Sequence, residues 1–182
     1  IFYRDNCADS ALCEADIDPD FIRSSASVLV TGTHFARAAN AAAQATPAES
    51  PAATNAYVSL SNIFQTTALT PAEQQIVILT ASVENKCDYC VAAHSRGAKM
   101  AGVPEDAINA IKARTPLKDA KTEALRRLVS QLVDKRGWLS DADVQAFLNQ
   151  GYSRSQLLDV MVGVSMKTLS NYINHLTSPP IE

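Results

Sequence analysis

From residue 70 onward the chain is cut by helix-start and helix-stop signals at intervals that suit helices and little else. Thr70-Pro71-Ala72-Glu73 opens the series. A Thr there caps, Pro fits the first turn, and Glu three residues on completes a capping box. Pro104-Glu105-Asp106 and Ser140 open further helices, and Ser153 with Gln156 forms a second box. Gly102, Gly137 and Gly151 each stop a helix, and Pro179-Pro180 stops the last. The stretches between are apolar at three- and four-residue spacing, as in Leu125, Leu128 and Leu132. Upstream, 53–65 repeats the period with Ala56, Leu60, Ile63 and Phe64, and 21–45 is Ala-rich enough for one or two helices. Residues 46–52 read as a linker on their Pro and Ser content. Residues 1–20, with six Asp or Glu and no period, read as an irregular arm that could wrap a neighbour. The sequence therefore predicts an all-α bundle of seven or eight helices with no sheet. With 182 residues and no boundary signal, it predicts one domain over 1–182.

Composition excludes several classes. The formal net charge is −3, which removes a broad basic surface for nucleic acid. With 47% hydrophobic and 19% charged residues the chain is too apolar for disorder. No apolar run approaches the roughly 18 residues that a membrane span needs. Six glycines, none in a G-x-G-x-x-G or Walker arrangement, leave no phosphate loop. The chain opens on Ile1 rather than Met, which leaves a removed signal peptide open.

The chemistry concentrates in Cys87-Asp-Tyr-Cys90-Val-Ala-Ala-His94. Spacings of three and four put Cys87, Cys90 and His94 on one stripe of a helix. The stripe begins at a helix N-terminus, where the macrodipole and free N–H groups stabilise an anion. Thiolate is the reactive form of Cys, and both that terminus and an imidazole favour it. Cys90, one turn before His94, is the better placed to be activated by it, with Cys87 resolving the intermediate as a disulfide. The reverse order stays open, since Cys87 is nearer the helix start. Other readings compete. Two inert thiols or a structural disulfide would need no His on the stripe. Zinc would need a fourth ligand from His34, His175, Asp88 or a distant Cys. A c-type haem would need His directly after the second Cys, and Val91 stands there.

The segment LTPAEQQIVILTASVENKCDYCVAAHSRGAKMAGVPEDAI resembles the carboxymuconolactone decarboxylase superfamily. Its C-x-x-C-x-x-x-H looks like the alkyl hydroperoxidase D branch, and the GYSRSQLLDVMVGVSMKTLSNYINHLTSPPIE ending is similar to the superfamily's last helix and tail. The resemblance implies an all-helical fold, a homo-oligomeric trimer or hexamer, and thiol-dependent reduction of hydroperoxides. An external dithiol would restore the pair, and no metal or organic cofactor is implied. A cytoplasmic location follows from reading the C-x-x-C as redox chemistry. The branch places a Glu twelve residues before the first Cys, in a proton relay with the His; here that position is Gln75. Gln hydrogen-bonds but cannot carry the proton. Helical phase puts Gln75 beside Ile78, Leu79 and Ser82 on the apolar face, with Glu73 and Glu84 roughly opposite. Two further functions stay in view: a decarboxylase-like lyase on a small lactone acid, and a non-enzymatic redox-switch oligomer. His175 suits the C-terminal end of the last helix, with a pocket role as its alternative. His34 reads as structural or exposed, Trp138 as packing, and Cys7 and Cys13 as a local disulfide or free thiols.

Overall fold

The computed structural model describes residues 50–177. The expectations for 1–49, including the acidic arm, His34, Cys7 and Cys13, lie outside the described residues, as does the Pro179-Pro180 stop. Seven helices run in order: α1 (Pro51–Gln65), α2 (Pro71–Glu84), α3 (Asp88–Met100), α4 (Glu105–Ala113), α5 (Ala120–Asp134), α6 (Asp141–Leu148) and α7 (Arg154–Thr177). There is no strand among the described residues. The expected linker ends earlier than its Pro and Ser content suggests, because Ser50 accepts the Ala53 N–H as an N-cap and Pro51 takes the first turn.

The punctuation works as its chemistry requires. At Thr70 both halves of the capping box form with Glu73, and at Ser140 with Asp143. Gly102, Gly137 and Gly151 follow helix ends at φ between +83° and +86°, where a Cβ is strained.

Helix α2 is the centre. It packs against α5, α3, α7 and α4. Every residue from Ile76 to Val83 is buried, Thr80 and Ser82 included. A helix covered all round needs no polar face, and this one has little. Its two carboxylates sit at its ends and point toward α5. Glu73 meets Lys121 at 3.3 Å, and Glu84 accepts from Ser130 at 2.6 Å.

Helix α7 crosses the same core closely. A Cβ on Gly163 would lie 2.6 Å from the Phe64 ring of α1 and 2.9 Å from Val77 of α2. Only glycine permits that approach, and one turn further along α7 comes Lys167. Trp138 is not a packing residue: it is 85% exposed, because Gly137 turns the chain outward between α5 and α6.

Candidate functional site

The dithiol is placed by the way α2 ends. Lys86 adopts the left-handed conformation at φ +58°. Its N–H reaches the Val83 carbonyl, and the Cys87 N–H reaches the Ser82 carbonyl at 3.0 Å. This is a Schellman closure made with a lysine in the glycine position. It leaves Cys87 as the N-cap residue of α3 and Cys90 inside the first turn. Both thiols are free and buried, 2% and 0% exposed, and come within 3.2 Å of each other.

Facing them is a polar stripe on α7. Lys167, Ser170, Asn171 and Asn174 are all buried, in phase with the apolar Val160 and Val164. Lys167 is 0% exposed. Its ammonium donates to Cys90 Sγ at 3.5 Å and lies 2.9 Å from His94 Nε2. Asn174 Nδ2 donates to Cys90 Sγ at 3.1 Å and to Cys87 Sγ at 3.8 Å. Asn85, at the end of α2, donates to Asn171 Oδ1 at 3.0 Å and so ties the stripe to the turn that carries Cys87. Buried Asn174 Oδ1 has no partner among the described residues, leaving an acceptor open beside the sulfurs.

These contacts settle where the charges sit. The Cys87 thiol is lowered to about 5, chiefly because the Cys90 thiol donates to it, with the Cys90 N–H and the Asn174 and Asn171 amides adding to the effect. Burial opposes that lowering but does not cancel it. Cys90 moves the other way, raised because its thiol donates to Cys87 and because it is buried. The two directions together favour a pair that shares one proton and one negative charge, with Cys87 the more acidic sulfur. These directions favour Cys87 as the attacking thiol, the order that the spacing left open as the alternative. The N-cap position and the Cys90 thiol and N–H that donate to Cys87 act in that sense, while the shorter Asn174 contact and the Lys167 contact fall on Cys90. No hydrogen bond joins His94 to either sulfur among the described residues.

His94 is driven well below its ordinary range, first by burial and then by Lys167. It is a neutral ring. With Lys167 as an ammonium, which has no acceptor, Nε2 accepts and Nδ1 carries the proton. Lys167 itself is lowered by burial, while the charge on Cys90 and then Cys87 opposes that. Tyr57 of α1 is buried close enough for Cys90 to raise it further, so it remains a neutral phenol.

Gln75 also reaches the dithiol helix, one turn past His94. Its Oε1 is buried without a partner and would lie 2.9 Å from a Cβ on Gly97. It stands against α3 without entering the hydrogen-bonded cluster. His175 faces solvent and stacks on Tyr172 at 6.0 Å, so its neighbour Asn174, not His175, points at the sulfurs. Neither His175 nor Asp88 meets the cysteines in a metal-ligand group, and no cluster of three such residues occurs among the described residues.

A groove of about 780 Å³ runs along Met161, Ser165, Leu169, Tyr172 and Leu176, on the opposite face of α7.

Sequence reasoning found the three residues of α3 because they share one helical stripe. It missed Lys167, Asn171 and Asn174, which arrive 77 to 87 residues later in the chain. Their signal was polar side chains in phase with Val160, Gly163 and Val164.

An all-helical fold over the described residues, with a buried C-x-x-C whose two thiols are free and 3.2 Å apart, defines the class: a helical protein with a vicinal dithiol. Comparison with known proteins narrows it. Residues 51–131 match the model of the carboxymuconolactone decarboxylase family. An uncharacterized peroxidase-related protein from Silicibacter sp. TM1040 superposes with a TM-score of 0.63 at 17% identity, over 71% of this chain and 70% of that one. A protein of unknown function from Agrobacterium tumefaciens, a candidate antioxidant defence protein AhpD, superposes with a TM-score of 0.62 at 20% identity, over 79% of this chain and 98% of that one. At such identities the likeness shows the fold. No curated protein sequence matches the chain. Residues 51–131 are thus similar to the carboxymuconolactone decarboxylase family, and the described residues have the alkyl hydroperoxidase D-like fold.

Proposed function

We propose that this protein is a thiol-dependent peroxidase that reduces hydroperoxides through Cys87 and Cys90. The observation that carries this reading is the geometry of the pair: two free, buried thiols 3.2 Å apart, with the Asn174 amide and the Lys167 amine against the sulfurs. In the first step Cys87 thiolate attacks the outer oxygen of R–OOH. The O–O bond breaks, the sulfur is oxidised to a sulfenic acid, and the leaving alkoxide takes a proton to become R–OH. In the second step the Cys90 sulfur attacks Cys87, forming the disulfide and releasing water. An external dithiol then returns two electrons and two protons. Asn174 Oδ1 is an acceptor suited to a hydroperoxide O–H. A free, acidic dithiol suits a reducing compartment, which fits a cytoplasmic antioxidant role.

The test is peroxide consumption with dithiothreitol as donor. Wild type should turn over, Cys87→Ser should fall to background, and mass spectrometry should find the Cys87–Cys90 disulfide after one equivalent of peroxide. If no such linkage forms, the reading fails. Turnover of a small lactone acid that survives loss of both thiols would put lyase chemistry in its place.

A further inference from the structure

The most unusual group in the fold is an ammonium. Lys167 is fully buried on α7, and among the described residues no carboxylate pairs with it. Burying a lone ammonium costs several kcal/mol unless something compensates. Its neighbours are the sulfur of Cys90, the neutral ring of His94 and, at longer range, Cys87. Gly163 gives up a side chain so that this turn of α7 can come close enough. A carbon chain of equal length would fill the space as well, so packing alone does not account for a charge here.

We propose that Lys167 is a catalytic residue of the dithiol: it is the fixed cation that neutralises the Cys87–Cys90 monoanion and receives the negative charge when that charge passes to Cys90. The inference rests on the dithiol reading above. It gives the site the charge that the sequence had assigned to an activating His94.

The two halves of the cycle use the charge differently. Before peroxide arrives, Cys87 holds the negative charge and Cys90 the proton, and Lys167 balances the pair from 3.5 Å beyond Cys90. After attack, Cys87–S⁻ and R–OOH plus one proton have become Cys87–SOH and R–OH. The sulfenic acid no longer carries the charge, and Cys90–SH must now ionise to attack. Its proton leaves with the hydroxyl of Cys87–SOH as water, so atoms and electrons balance without a further reactant. The incipient Cys90 thiolate then lies 3.5 Å from the Lys167 ammonium and 3.1 Å from the Asn174 amide. The other titratable groups that face this position are His94 and Tyr57. Both are neutral, so Lys167 is the one cation in the cluster among the described residues.

The experiment compares wild type with Lys167→Met, which keeps the volume and removes the charge. Iodoacetamide alkylation of the reduced thiols, followed by peptide mass spectrometry from pH 4 to 10, reads thiolate directly and needs no peroxide. The removal of an opposite charge at this range moves a thiol by about 1–3 units. The alkylation midpoint of the Cys87–Cys90 pair, read at whichever sulfur alkylates first, should therefore rise by about 1–3 pH units, with reactivity recovering at high pH. After peroxide, dimedone should trap more Cys87 sulfenic acid in the variant, because Cys90 resolves it slowly. Lys167→Gln should behave like Lys167→Met, which guards against failure of either variant to fold. A folded variant with an unmoved midpoint overturns the proposal. So does a wild-type midpoint at or above about 8.5, the value of an ordinary cysteine, whatever the variants do. If wild type alkylates as expected but never consumes peroxide, the peroxidase reading fails while the role of Lys167 in holding the thiolate stands.

Discussion

At Cys87 the folded and unfolded chains hold different numbers of protons over a wide pH range. Folded, the thiol ionises at about 5; unfolded, at about 8.5. Between those values the unfolded chain binds the extra proton, so stability rises with pH across the window and is lost as pH falls through about 5. The reduced protein should therefore gain melting temperature from pH 5 to 8.5, and Cys87→Ser should show a flatter profile over the same range. Thermal melts under reducing conditions check this, and parallel profiles would mean that Cys87 carries no charge. Of the site, the residues legible in the sequence were those that share a helix. Cys87, Cys90 and His94 declare their geometry by spacing alone. What spacing could not show was which sulfur holds the charge. That depends first on the Cys90 thiol that donates to Cys87, and then on Asn174, whose contacts form only when α7 folds over α3. The sequence favoured His175 as a residue suited to the end of the last helix and kept a pocket role as the alternative; helical phase puts Asn174 inward and His175 in solvent.

At the scale of elements, the site depends on one close crossing. Gly163 lets α7 lie against Phe64 and Val77, and Lys167 follows one turn later. Gly163→Ala forces a Cβ to within 2.6 Å of an aromatic ring that has little room to move, since Phe64 is itself buried. Overpacking of this kind costs about 1–3 kcal/mol, against which the better helix propensity of Ala returns about 1. Urea unfolding should show a net loss of stability. The shift of α7 should also loosen the contact of Lys167 with Cys90, so the alkylation midpoint should rise as in Lys167→Met, though less. A variant as stable as wild type would show that the crossing has slack. The helix boundaries themselves were readable because caps and glycine stops are local chemistry, as at Thr70, Ser140, Gly102 and Gly151. The role of Gly163 was not, because a glycine inside a helix signals close approach only once its partner helix is known.

For the whole molecule, the burial pattern leaves apolar surface without an internal partner. Leu176 is 87% exposed, and Tyr172 and Met100 are also exposed. Leu176 and Tyr172 line the groove on the face of α7 that points away from the dithiol. The first half of α7 buries Val160, Val164 and Met166, and its second half turns Lys167, Ser170, Asn171 and Asn174 inward while Tyr172 and Leu176 stay exposed, an apolar patch of the kind that marks an interaction surface. The sequence resemblance implied a homo-oligomer, and a second copy of the chain is the occupant we propose for this face. With a protomer of 19.5 kDa, light scattering at micromolar concentration should return a mass of three or six times that value. Leu176→Lys with Tyr172→Lys should dissociate the assembly while leaving Cys87 alkylation unchanged, because neither side chain touches the cluster around Lys167. A wild-type mass of one protomer would refute the assembly. A dissociated variant whose Cys87 midpoint also moved would mean that the neighbouring copy helps to hold α7 against the dithiol.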